Sequence, residues 1–180
     1  GDVNGDGYDD FIIGASYNDA GGTNSGAAYI YFGGTIVNNV ADVTLLGANT
    51  EDRFGYSVST AGDVNGDGFD DVIVGAPGYD FLTLTTVGRA YIFYGGSSID
   101  NIADVILTGV GDGDNFGYSV SAAGDVNGDG YGDIIVGSPF SDNGGTNAGR
   151  AYMYFGGLSM NNIADVIRNG ESAEDRFGNS

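Results

Sequence analysis

The sequence predicts an all-β protein: three repeats of a β-propeller blade, each built from four antiparallel strands. Three observations carry that expectation. The segment DVNGDG begins at Asp2, Asp63 and Asp125, spacings of 61 and 62 residues, and what lies between is repeated too. Each copy contains four short apolar segments separated by glycine-rich turns, in a chain with 35 glycines and 2 prolines. No segment sustains a helical period.

The segments follow in a fixed order. Directly after each DVNGDG loop come FIIGAS (11–16), VIVGAP (72–77) and IIVGSP (134–139). After a variable stretch come SGAAYIYFGG, VGRAYIFYGG and AGRAYMYFGG, where aromatic and small residues alternate as a two-sided strand requires. Their aromatics (Tyr29, Tyr31, Phe32, Tyr91, Phe93, Tyr94, Tyr152, Tyr154 and Phe155) are expected to pack between blades. Next are NNVADVTLLG, DNIADVILTG and NNIADVIRNG, and last DRFGYSVSTAG, DNFGYSVSAAG and a shortened DRFGNS. The repeats therefore run 1–62, 63–124 and 125–180.

A parallel β-helix would repeat about every 20–30 residues, so four strands in about sixty favour blades. Three blades are fewer than an ordinary propeller holds, so the expectation is part of a larger or oligomeric array. Gly1 corresponds to Gly62 and Gly124, and Ser180 to Ser57 and Ser119. Start and stop thus fall within one strand, and either a longer array or chains that complete one another fits that pattern.

Within each loop the residue types point to a cation. Counting from the first aspartate, position 1 is Asp2, Asp63 and Asp125, and position 3 is Asn4, Asn65 and Asn127. Position 5 is Asp6, Asp67 and Asp129, and position 6 is glycine. Position 7 is Tyr8, Phe69 and Tyr131, which can offer only a backbone carbonyl. Position 9 is Asp10, Asp71 and Asp133, whereas position 8 varies (Asp9, Asp70, Gly132), so position 9 is expected to reach the metal. Three carboxylates, an amide oxygen and a carbonyl make an oxygen-only set that suits calcium above zinc, copper or magnesium. The cofactor expectation is Ca2+ at three sites, one per repeat. An EF-hand would need glutamate at position 12 and a helix after it; Ile13, Val74 and Val136 stand there instead, inside strand-like runs. The same mismatch excludes dockerin-type helix pairs.

The segment Phe54–Pro77, FGYSVSTAGDVNGDGFDDVIVGAP, resembles the FG-GAP repeat of integrin α-chain propellers. Phe54-Gly55 and Gly75-Ala76-Pro77 carry both named elements. Phe116-Gly117 with Gly137-Ser138-Pro139, and Gly14-Ala15-Ser16, match in part. The resemblance spans essentially the whole chain. It implies a blade with calcium in the loop joining its first and second strands, in a secreted or surface protein.

Composition narrows the function. A formal charge of −20, from 25 acids against 5 arginines, disfavours nucleic acid and insertion into anionic membranes. No apolar run is long enough to span a bilayer. There is no histidine and no cysteine, and no GxSxG elbow, so the usual acid–base and nucleophilic groups are missing. Eleven of the 25 acids sit in the three loops, which leaves few for a glycosidase pair. The favoured reading is a non-catalytic module for adhesion or for binding a protein or glycan ligand. It would lie outside the cell or at its surface, in a bacterial setting that a cysteine-free chain fits. Two alternatives are a surface-layer or filament subunit joined to copies of itself by strand completion, and an accessory domain of a secreted hydrolase. The variable stretches 17–25, 78–87 and 140–148 are candidate partner loops. Arg53 with Arg176, and Arg89 with Arg150, recur at fixed positions and are expected to pair with nearby aspartates.

Overall fold

The computed structural model describes all 180 residues, and it contains eleven strands and no helix. The first sheet holds β1 (Phe11–Ala15), β2 (Ala27–Tyr31) and β3 (Val43–Leu46) in that order. The second holds β4 (Ser57–Gly62), β5 (Asp71–Ala76), β6 (Arg89–Phe93) and β7 (Val105–Thr108). The third holds β8 (Ser119–Gly124), β9 (Asp133–Ser138), β10 (Arg150–Tyr154) and β11 (Val166–Asn169). Every pairing between these strands is antiparallel. These are the up-and-down sheets of β-propeller blades.

The sheets are offset from a repeat counted from its aspartate loop. β4 closes the first sequence unit yet pairs with β5 of the second, Ser57 opposite Gly75 and Val58 opposite Val74. The aspartate loop therefore joins the first and second strands of one sheet, with a register shift just before it, between Thr60 and Gly62.

Strand alternation explains the stacking. In β5, Val72 and Val74 join Ala28, Ile30 and Leu45 of the first sheet in one core cluster. Ile73, between them, joins Ile134, Val136, Tyr152 and Tyr154 of the third sheet in another. A strand sandwiched on both faces must be apolar at consecutive positions, which is what VIVGA supplies.

The FG element stitches one sheet to the next. The Phe54 amide donates to the Ser25 carbonyl of the first sheet's loop, and the Gly55 amide donates to the Gly75 carbonyl of the second. Phe116 and Gly117 repeat this with Val87 and Gly137. The rings wedge between sheets: Phe54 meets Tyr91 edge-on at 5.3 Å, and Phe116 meets Tyr152 at 5.1 Å. Glycine is required at 75 because a Cβ would overlap the Gly117 carbonyl.

Candidate metal centre

Each aspartate loop is a backbone nest wrapped around its first carboxylate. In the second loop, Asp63 accepts hydrogen bonds from the amides of Gly66 (2.7 Å), Asp67 (3.0 Å) and Gly68 (2.9 Å). Asn65 accepts from the Asp67 amide at 2.9 Å, and its own amide group donates to Asp67 at 2.8 Å. Asp67 accepts from the Phe69 amide at 3.0 Å. The first and third loops repeat this set bond for bond around Asp2 and Asp125. Gly68, at φ 93°, makes the turn that a side chain would strain. Positions 1, 3 and 5 are thus brought together at an exposed loop tip.

Position 9 is placed differently. Asp71 is fully buried, with one oxygen accepting from the Val64 amide (2.8 Å) and the other from the Gly95 amide (2.8 Å). Asp10 and Asp133 do the same with Val3 and Gly33, and with Val126 and Gly156. This carboxylate ties the loop to the turn after the second strand downstream of it. Burial pushes the Asp71 carboxyl up to about 7; the Gly95 and Val64 amides oppose that, and Asp67 and Asp63 add to it. In this arrangement no three carboxylates converge closely enough to hold an ion between them. The donor types fit calcium: carboxylate and amide oxygens at positions 1, 3, 5 and 9 and a backbone carbonyl at position 7.

The loops also touch one another, which the sequence did not reveal. The Asp70 amide donates to the Asp2 carbonyl (3.1 Å), and the Gly132 amide to the Asp63 carbonyl (2.8 Å). The position 7 ring of one loop lies on the position 4 glycine of the loop before: a Cβ at Gly5 would overlap Phe69, and one at Gly66 would overlap Tyr131. Position 8, left without a role by its variability, has one at Asp70, whose carboxylate accepts from the Asp2 amide at 2.9 Å.

At the other ends of the sheets the arginines pair with glutamates and rings rather than with aspartates. Arg53 lies 4.0 Å from Glu51 and over the Tyr17 ring; Arg176 lies 3.8 Å from Glu174 and over Phe140. Arg89 stacks on Tyr79, 3.6 Å from the ring centre, and donates to Thr108. Arg150 donates to Asn169.

The FG-GAP repeat model matches residues 1–31, 54–93 and 116–154. The chain is similar to phosphatidylinositol-glycan-specific phospholipase D of Bos taurus, 32% identical over 169 residues, covering 88% of this chain and 20% of that protein. It is 37% identical to integrin alpha-6 of Homo sapiens over 140 residues, 76% of this chain and 12% of that one. Integrin alpha-5 of Xenopus laevis is 33% identical over 147 residues, 76% and 14% of the respective chains. The chain thus spans a fifth or less of the length of these relatives.

Proposed function

The chain belongs to the FG-GAP repeat family, and on that premise we propose that it is a calcium-binding, non-catalytic β-propeller module that presents its loops to a protein or glycan ligand outside the cell. The observation that carries this reading is the threefold recurrence of one loop, hydrogen bond for hydrogen bond, with Asp, Asn and Asp gathered at its tip. Unneutralised, those acids repel one another across a short distance. A bound calcium ion supplies charge neutralisation and a common centre for the oxygen donors. The residues that would hold it are Asp2, Asn4, Asp6, the Tyr8 carbonyl and Asp10, with their counterparts Asp63 to Asp71 and Asp125 to Asp133. The chain's own part is to hold positions 1, 3 and 5 in a preformed nest anchored by position 9.

Thermal unfolding with calcium and with excess chelator tests it. A ligand that binds only the folded state, at about 100 times its dissociation constant, adds about 2.7 kcal/mol per site. Identical melting curves in the two conditions would remove calcium from the reading.

A second reading, a subunit that joins copies of itself, has its own observation. On the first sheet Phe11 and Ile13 are exposed, and Phe11 stacks on Tyr31 at 5.0 Å. At the far end Phe177 is 44% exposed, whereas its counterparts Phe54 and Phe116 are 3% and 1% exposed, wedged against the aromatic pair of the following sheet. Phe177 and the Tyr29–Tyr31 face resemble the two sides of the contacts that Phe54 and Phe116 make inside the molecule, and on this reading they would meet between copies. Mass measured against protein concentration tests this: association is expected, and a folded particle that stays at 18.3 kDa counts against it.

A further inference from the structure

Opposite the aspartate loops, one of the three repeats lacks a cluster that the other two share. Tyr17, Arg53 and Glu51 form a ring–guanidinium–carboxylate stack, and Phe140, Arg176 and Glu174 form its copy. In the middle repeat the corresponding residues are Gly78, Asn115 and Gly113. At the central position the backbone is alike, with φ 54° at Asn115 against 55° at Arg53 and 51° at Arg176, whereas the facing loop 78–87 is one residue longer than its counterparts and carries its own Phe81–Leu84 bridge. Three large side chains are missing from one place, and a cleft of about 480 Å³ opens there, walled on one side by Asp80, Thr85 and Thr86 of the longer loop 78–87. That volume lies in the range of small-molecule sites.

We propose that this cleft is a saccharide-binding site. Three rings line it in sequence: Tyr56 is 4.9 Å from Tyr118, and Tyr118 is 5.8 Å from Phe140. Tyr56 is 37% exposed, so ring surface is open to a ligand. Around the rings stand charged and neutral polar groups, among them Asp80, Thr86, Asn115 and Arg53. Asp80 spends one oxygen on the Thr86 amide (2.7 Å), and its other oxygen has no protein donor. Rings that pack against C–H faces, with carboxylate, amide and hydroxyl groups for vicinal hydroxyls, match a neutral sugar ring. Only three of the eleven lining residues are hydrophobic, which disfavours an acyl chain. The carboxylates of Glu51 and Asp80, in a chain of charge −20, disfavour an anion.

The inference rests on the reading of the chain as an interaction module and names the ligand class and the place. Isothermal titration with soluble cello-, xylo-, manno-, malto- and chito-oligosaccharides tests it. At least one is expected to bind. Asn115→Arg, which restores the side chain found in the other two repeats, should fill the cleft and weaken binding at least about tenfold. Tyr118→Ala should weaken it by about as much, and both variants should keep the calcium-dependent thermal shift of the parent. Three results would each overturn the proposal: no binding of any of these sugars, binding untouched by Asn115→Arg, or selection of peptides but no sugar from mixed libraries. If sugars fail while calcium still stabilises, the cleft assignment falls and the calcium-stapled module stands. If calcium has no effect while Asn115→Arg blocks a sugar, the reverse holds.

Discussion

A carboxylate at position 71 holds two amides in a dry place, while one at position 67 sits at the exposed tip of the same loop. Their alanine variants should therefore separate folding from cation binding. Asp71→Ala leaves the Val64 and Gly95 amides without partners, and is expected to lower stability by about 2–4 kcal/mol even in chelator. Asp67→Ala should cost less in chelator and should remove about 2.7 kcal/mol of the calcium-dependent increment. Equal losses in chelator, measured by urea titration, would show that the two positions do the same work. Outside the loops Asp114 is an aspartate with a displaced titration. Burial holds the Asp114 carboxyl above the usual carboxylate range, and one of its oxygens has no hydrogen-bond partner. A raised folded-state value means its contribution is complete below the unfolded value of about 4 and fades as pH climbs through the raised one. Asp114→Asn should thus gain on the parent as pH rises above about 4. Parallel stability curves over that range would place the titration elsewhere.

Between elements, the contact of each loop with the next can be isolated by two glycines. Gly66 and Gly128 share φ 78°, so alanine meets the same backbone strain at both, roughly 1–2 kcal/mol. Gly66 also lies beneath the Tyr131 ring, whereas nothing stands within 4 Å of a Cβ at Gly128. Gly66→Ala is expected to cost about 1–3 kcal/mol more than Gly128→Ala. Equal costs in chemical denaturation would mean that the ring moves aside freely. This contact marks the limit of what the sequence discloses. Strands such as VIVGA and AYIFY were legible because their alternation and flanking glycines are local signals. The turn residues of the loops were legible for the same reason. The contact between Phe69 and Gly5 joins residues 64 apart in sequence, and spacing within a repeat carries no trace of it. Position 9 reads from its invariance as a metal ligand, but the sequence could not show its oxygens turned onto the Val64 and Gly95 amides. The middle cleft did leave a signal in the pattern: Asn115 interrupts the series Arg53 and Arg176. Its meaning needed the fold, which sets Gly78 and Gly113 beside it.

On the scale of the molecule, charge governs how the sheets hold together. A formal charge of −20 acts against compaction, and the three tips lie in a row joined by the Asp70–Asp2 and Gly132–Asp63 hydrogen bonds. Acids in neighbouring tips are within reach of one another's fields at low salt, where the Debye length is about 30 Å at 0.01 M. Three divalent ions would bring the formal charge from −20 to −14 and would do so where the acids are densest. Sodium chloride should therefore raise the melting temperature strongly in chelator and weakly in calcium, since screening and site binding relieve the same repulsion. The measurement is a salt series of thermal melts in each condition. Equal salt slopes would show that the ions leave that repulsion in place, and the loops would then be turns held by their own hydrogen bonds. A steep slope in chelator that flattens with calcium would tie the rigidity of the stacked sheets to the three aspartate loops.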